Sequence, residues 1–162
     1  MTVTSSQSAK VTLPADDQIL ITREFDAPKE LVYSAFIMPE LVKQWWHANR
    51  GEMTVAEIDL RVGGKWRYVS VTPDGMEVAF HGEYREIEPN ERVVSTEAFE
   101  GAPDAGATVN TATLTEANGR TTLTILVQAP NKEVRDTVIE SGMEAGLQDA
   151  LDLLEQAAVS LR

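Results

Sequence analysis

The chain has 162 residues, with 14 basic and 26 acidic side chains and a formal net charge of −12. So acidic a surface repels phosphate groups, and we therefore expect binding neither to nucleic acid nor to anionic membranes. The chain has no cysteine and only two histidines, which excludes a disulfide framework, thiol catalysis and a cysteine- or histidine-rich metal site. We predict neither a metal nor a cofactor.

The beginning of the chain has the composition of a leader. Its first residues are rich in Ser and Thr and lack the apolar stretch of a secretory signal. We predict a disordered leader over residues 1–16 and a single domain over residues 17–162. No apolar run approaches membrane-spanning length, so the predicted location is the cytoplasm.

A strand and two short helices open the predicted domain. The apolar run that begins at Gln18 predicts a first strand that ends at Phe25. Pro28 and Pro39 each suit the first position of a helix, and apolar residues at helical spacing follow both of them. We therefore predict two short helices in tandem before the chain returns to strands.

Strands and turns alternate between Thr54 and Gln128. Apolar and polar residues alternate there with a period of two, which predicts strands with one dry face and one wet face. Turn signals separate the strands at Gly63-Gly64, at Pro73-Asp74-Gly75 and at Asn118-Gly119. The last of these is a strong hairpin signal. We predict about six antiparallel strands in this region.

The last segment, from Asn131 to Leu161, predicts one long helix. Asn131 is a good N-cap, and the apolar residues after it fall on one stripe at spacings of three and four. Gly142 and Gly146 interrupt the stripe, and each costs about 1 kcal/mol relative to alanine in a helix interior. Their small size serves either close packing against a sheet or space for a ligand.

These elements together predict an α+β fold. The last helix is the large apolar surface available to cover the dry face of the strands. We therefore expect a curved antiparallel sheet of six to seven strands wrapped around the C-terminal helix, with the two short helices closing one end.

Several motifs along the chain point to one known family. They are I-T-R-E-F-D-A-P (21–28), Q-W-W (44–46), D-L-R-V-G-G-K-W-R-Y (59–68), P-D-G (73–75), F-H-G-E-Y-R-E-I (80–87), E-R-V-V-S-T-E (91–97) and S-G-M-E-A-G (141–146). In this order they resemble the bacterial branch of the START-like (SRPBCC, Bet v 1-like) helix-grip superfamily. Within it, the chain is similar to proteins resembling the C-terminal domain of the activator of Hsp90 ATPase.

The resemblance covers nearly the whole chain after residue 17. It implies a helix-grip fold with a cavity between the sheet and the long helix, and members of the family bind varied apolar or aromatic molecules. Many members carry an aromatic residue after the second helix glycine, where this chain has Leu147. That difference would widen or reshape the cavity.

Aromatic and apolar side chains are the candidate ligand contacts. The residues predicted to line the cavity are Trp45, Trp66, Tyr68, Phe80, Tyr84, Phe99, Met143 and Leu147. The same side chains can instead form an ordinary core. His81 follows Phe80, so strand alternation places it on the outer face, although a bulge that reversed the register would turn it into the cavity as a polar group. No residue is predicted to be catalytic.

We predict that the protein binds a small hydrophobic or aromatic molecule between the sheet and the C-terminal helix. One alternative is a cyclase- or hydrolase-like enzyme that uses the same cavity. It would need an acid–base residue inside the cavity, and the sequence offers only His81 and tyrosines for that role, so binding is favoured over catalysis. Another alternative, implied by the resemblance alone, is a module that interacts with an Hsp90-type chaperone. The sequence leaves open whether the chain forms a homodimer.

Overall fold

Eight antiparallel strands form one curved sheet. The computed structural model describes residues 9–48 and 51–162. Within these ranges the strands are β1 (Lys10–Thr12), β2 (Gln18–Phe25), β3 (Glu52–Ile58), β4 (Lys65–Val71), β5 (Glu77–Glu88), β6 (Arg92–Phe99), β7 (Thr108–Ala117) and β8 (Arg120–Gln128). Their order across the sheet is β1-β2-β8-β7-β6-β5-β4-β3.

Strand β1 corrects the prediction of a disordered leader over residues 1–16. Lys10 pairs with Thr22 of β2, so this segment adds an edge strand to the sheet. The side chain of Gln148 also holds the segment, because its amide donates to the Ala9 carbonyl and accepts from the Ala9 N–H, both at 2.9 Å. Within the described residues, the sheet therefore has eight strands rather than six or seven. Residues 1–8 of the predicted leader lie outside the described residues.

The described ranges contain four α-helices, two between β2 and β3 and two after β8. They are α1 (Lys29–Ile37), α2 (Pro39–Trp45), α3 (Lys132–Glu140) and α4 (Met143–Val159). The first two follow β2 as predicted, with Pro39 at the start of α2. No helix in these ranges is both long enough and apolar enough to cross a membrane.

The predicted single C-terminal helix is in fact two helices. Asn131 caps α3 as expected, since its Oδ1 accepts from the Val134 N–H at 2.9 Å. The break comes at Gly142, whose φ of 84° lies in the left-handed region that glycine adopts without strain. A β-carbon at this position would meet no atom within 4 Å, so space is not the reason for the glycine. Backbone conformation, and neither of the two predicted reasons, explains Gly142.

The core lies between the inner face of the sheet and α4. Ile19, Phe25 and Leu123 from the sheet are almost completely buried, as are Leu151 and Leu154 from α4. All five belong to one hydrophobic cluster, which also includes the buried side chains of α1 and α2. The predicted α+β helix-grip architecture is therefore confirmed, with one more strand and a broken helix.

A buried guanidinium joins β2 to α4. Arg23 is 2% exposed, and its two terminal nitrogens donate to Asp152 Oδ1 at 2.8 Å and to Glu155 Oε1 at 3.0 Å. The guanidinium also lies 4.9 Å from the ring centroid of Phe25. Glu155 is held further by the Asp26 N–H, which donates to its Oε2 at 2.8 Å. These contacts attach the C-terminal half of α4 to the sheet.

We expect Arg23→Ala to lower the free energy of unfolding by about 3 kcal/mol, because the change leaves the largely buried Glu155 carboxylate without its cation. Arg120→Ala is the matched control. The Arg120 side chain is 40% exposed and lies 3.5 Å from Glu24 and 3.7 Å from Asp26, so its loss should cost less than about 1 kcal/mol. Urea denaturation of both variants measures the two costs. Equal losses in the two variants would show that Arg23 is not a special attachment point.

Candidate functional site

A cavity of about 270 Å³ lies between the inner face of the sheet and the helices. This volume is that of roughly nine water molecules in the liquid, so it suits a molecule of about ten non-hydrogen atoms. The helical side is apolar, with Phe36 and Trp45 from α1 and α2 and with Met143, Leu147 and Leu151 from α4.

The strands supply cavity-lining residues at every second position, as expected for one face of a sheet. They are Ile21, Trp66, Tyr68, Tyr84, Val93, Ser95, Glu97, Thr108, Asn110, Ala112, Ile125 and Val127. Most are apolar or aromatic. The polar ones cluster on β6 and β7, where Ser95 is paired with Asn110 and Glu97 with Thr108. The cavity therefore has one polar corner in an otherwise apolar wall.

Six of the eight residues predicted to line the cavity do so, namely Trp45, Trp66, Tyr68, Tyr84, Met143 and Leu147. Phe80 and Phe99 do not. They lie opposite each other on β5 and β6 with ring centroids 5.0 Å apart, and Phe99 is 42% exposed. Trp46, which lines the cavity, packs edge-on against Phe80 at 5.1 Å. These two phenylalanines thus extend the aromatic row beyond the cavity toward the surface.

His81 does not reach the cavity, so its role as a polar cavity group is corrected. It is exposed, and its Nδ1 lies 3.1 Å from Glu100 Oε2. Arg67 donates two hydrogen bonds to the same carboxylate at 2.8 and 2.9 Å, and these bonds are the main reason that the pKa of Glu100 falls to about 2. The irregularity in the pairing of β5 with β6 lies between Tyr84 and Glu86, beyond His81, and therefore leaves His81 on the outer face.

The sequence analysis missed all four residues of the polar corner, and Glu97 is the one carboxylic acid among them. Its side chain lines the cavity, and burial raises its pKa above the ordinary value of 4.5. Glu97 is half-buried rather than fully enclosed. Asn110 Nδ2 donates to Glu97 Oε1 at 3.1 Å, while Asn110 Oδ1 accepts from the Thr108 hydroxyl at 3.0 Å. The threonine thereby orients the amide so that its N–H points at the carboxylate.

Two phenols, those of Tyr68 and Tyr84, line the same cavity. Tyr68 is near enough to both Tyr84 and Glu97 for their charges to disfavour its own ionisation. Burial raises the pKa of Tyr84 to about 12 and raises that of Tyr68 well above its ordinary value, with smaller contributions from Tyr84 and Glu97. Both phenols are therefore neutral at physiological pH, and each can donate or accept a hydrogen bond.

A glycine allows Trp66 its position in the wall. The Trp66 indole N–H donates to the Thr96 carbonyl at 3.1 Å across the face of β5. A β-carbon at Gly82 would lie 1.8 Å from that carbonyl oxygen and 2.5 Å from the indole nitrogen. Only a residue without a side chain lets the two strands and the indole approach so closely.

The charge of the described cavity lining has one sign. Glu97 is its single carboxylic acid, and no Lys, Arg or His in the described part of the chain lines the cavity. No cluster of three or more His, Cys, Asp or Glu side chains that could hold a metal ion occurs among the described residues. The arrangement can orient a small molecule by hydrogen bonds or exchange a proton with it, and it offers no positive charge for an anion.

The signal for Glu97 was present in the sequence. Val93, Ser95 and Glu97 share one face of a strand by simple alternation, so an apolar residue and a carboxylate point the same way. Alternation alone does not say that this face is the inner one. The missing information was the register with β7, which brings Asn110 and Thr108 against the same face.

We expect Glu97→Gln to raise the free energy of unfolding at pH 7. Because the folded state raises the pKa of Glu97 above 4.5, ionisation costs stability as the pH rises through and above that value. Glutamine removes this cost and can still accept from Asn110. The gain should therefore vanish as the pH falls below about 4, where both states hold the proton.

Urea denaturation of wild type and Glu97→Gln at several pH values measures this difference. Glu86→Gln is the control, since Glu86 is exposed on β5 and its nearest cation, Arg92, lies 3.7 Å away. Its effect should stay within about 0.5 kcal/mol at every pH. A pH-independent loss of stability in Glu97→Gln would contradict the burial of this carboxyl group.

Comparisons with known proteins agree with this architecture. A protein from Rhodobacter sphaeroides is 25% identical with a TM-score of 0.87, and the match covers 94% of this chain and 99% of that chain. A protein from Chromobacterium violaceum is 28% identical with a TM-score of 0.79, covering 89% and 98%. Protein Ms6760 from Mycobacterium smegmatis is 24% identical with a TM-score of 0.83, covering 92% and 95%.

A search of curated proteins finds no match. The family model described as "Activator of Hsp90 ATPase homolog 1-like protein" matches residues 26–158, which is most of the chain. The chain therefore belongs to the family of activator of Hsp90 ATPase homolog 1-like proteins.

Proposed function

We propose that the protein binds a small, mainly apolar molecule with an aromatic part in the cavity between the sheet and α4. The observation that carries the proposal is the cavity itself, about 270 Å³ of space walled by Trp45, Trp66, Tyr68 and Tyr84. Cavities with apolar walls and a few convergent polar groups are the usual sites of small ligands in proteins. Proteins with the fold of this family generally bind hydrophobic ligands, which supports the same function.

A cavity of this size is costly for a protein to leave empty, which favours a binding site over a packing defect. Protein interiors are close-packed, and an empty cavity lowers stability by about 24 cal/mol for each Å³. A dry void of this size would cost up to about 6 kcal/mol, a large part of the 5–15 kcal/mol by which domains are typically stable. A molecule that displaces solvent from these walls would gain binding free energy from the apolar surface it buries, less the cost of association.

The polar corner would orient the ligand. The hydroxyls of Tyr68 and Tyr84 and the carboxyl group of Glu97 lie on the sheet side, opposite the apolar surface of α4. A ligand with one polar end would direct that end toward β6 and β7 and lay its apolar body against Met143 and Leu147. Recognition would then depend on one end of the molecule, and the cavity would tolerate variation in the rest.

We expect Leu147→Trp to weaken the binding of a small neutral aromatic probe, 2-phenylethanol, by at least about tenfold, because the larger side chain occupies the space that the probe needs. Ala145→Trp is the control, since Ala145 is exposed on the same helix and the substitution adds the same side chain outside the cavity. Isothermal titration calorimetry of the two variants and the wild type measures the affinities. Equal affinities in all three proteins would exclude the cavity as the binding site.

Acid–base catalysis on the bound molecule is a second candidate function. The observation that favours it is Glu97, a carboxyl group with a raised pKa, near the neutral phenol of Tyr68 inside the cavity. An enzyme would lose turnover in Glu97→Gln while it kept its affinity for a neutral substrate. Product formation measured with small esters and epoxides as substrates tests this function, and failure of wild type to turn over any of them counts against it.

The family description raises a third candidate, action on an Hsp90-type chaperone. Such an activity would use the outer surface of the protein. Stimulation of the ATPase of a purified bacterial Hsp90 would then be the same for wild type and Leu147→Trp. Loss of stimulation in Leu147→Trp would instead link the chaperone to the occupancy of the cavity.

A further inference from the structure

Among the described lining residues, the cavity contains a carboxylate without a cation. In the described part of the chain, Glu97 receives one hydrogen bond, from Asn110 to its Oε1, and no Lys, Arg or His lines the cavity. A buried carboxylate is costly unless a cation or several donors accompany it. Thr108 fixes the orientation of Asn110, so the donor on Oε1 is a built part of the wall. The remaining oxygen, Oε2, is available to a ligand.

The aromatic walls also favour a positively charged ligand. The faces of Trp and Tyr rings carry negative electrostatic potential, and they attract organic cations that lie against them. Trp45, Trp46, Trp66, Tyr68 and Tyr84 all line the cavity, with Trp46 and Trp66 packed against Tyr68 at ring-centroid distances of 5.2 and 4.6 Å. A cation in the cavity would therefore meet aromatic rings beside a carboxylate.

We propose that the cavity selects an apolar primary amine in its protonated form, with the ammonium group bound to Glu97 and the apolar body packed against the aromatic rings and α4. The proposal rests on the proposed function and goes beyond it by naming the class of ligand. Fatty acids and other carboxylates are excluded by the same geometry, because the described lining would place two like charges together with no cation to separate them. The net charge of −12 attracts a cationic ligand at long range and repels an anionic one.

Three probes of nearly equal size separate charge from shape. They are 2-phenylethylamine, which is a cation at pH 7.5, the neutral 2-phenylethanol and the anionic phenylacetate. Each has about ten non-hydrogen atoms, as the cavity volume requires. Isothermal titration calorimetry at low ionic strength would measure their affinities for wild type, Glu97→Gln and the control Glu86→Gln. The control removes one negative charge from the exposed face of β5 and leaves the cavity unchanged.

Wild type and Glu86→Gln should bind the amine at least about tenfold more tightly than the alcohol, and should bind phenylacetate most weakly. Glu97→Gln should lose the preference for the amine, while its affinity for the alcohol changes by less than about twofold. Binding of the alcohol with no preference for the amine in wild type would overturn the proposal and leave the proposed function standing. A preference for the amine that survives in Glu97→Gln would also overturn it. Absence of binding by all three probes would contradict the proposed function itself, and this inference with it.

Discussion

The structure depends on how helix α4 is attached to the sheet. The buried guanidinium of Arg23 binds Asp152 and Glu155, which both lie in the C-terminal half of the helix. Leu151 and Leu154 from the same half are almost completely buried in the core. In the N-terminal half of the helix, Met143 and Leu147 line the cavity. One end of the helix is therefore packed as core and the other end forms a wall of the cavity.

The break at Gly142 belongs to the same arrangement. A left-handed glycine interrupts the helical backbone between α3 and α4, so α4 does not have to continue the path of the preceding helix. The helix can then follow the direction that the Arg23 ion pairs and the core set. The Gln148 side chain, nearly two turns after the break, holds the edge segment at Ala9. These few contacts keep α4 in place without filling the space between its N-terminal half and the sheet.

Much of the fold could be predicted from the sequence because its signals are local. The alternation of apolar and polar residues predicted the sheet. Asn118-Gly119 forms its hairpin with φ of 57° and 76°, the positive values that this tight turn requires. The helix break could not be read in the same way. One apolar stripe, which includes Ile139, Met143 and Leu147, continues across Gly142. Helical periodicity therefore does not show that φ changes sign there. A glycine in a helical pattern indicates only a small local cost, and tertiary contacts decide whether the helix ends there.

The candidate site was predictable in its apolar part and not in its polar part. Large aromatic residues on an alternating strand tend to face the core, and Trp66, Tyr68 and Tyr84 do so. Phe80 and Phe99 follow the same alternation but lie beyond the cavity. Whether such a residue lines the cavity depends on how far the helices extend across the sheet. Glu97 violates the expectation that charges face water, and violations of this kind are concentrated at functional sites. Its place inside follows from pairing with β7, which no local pattern encodes.

The central claim is that a carboxyl group lies inside an apolar cavity that admits a ligand. Direct titration of the Glu97 side-chain carboxyl by carbon NMR tests it, first in the free protein and then with saturating 2-phenylethylamine. The account predicts a pKa above the ordinary value of 4.5 in the free protein, because burial disfavours the charged form, and a lower pKa when the ammonium group is bound. An ordinary pKa in the free protein that the amine leaves unchanged would contradict the account.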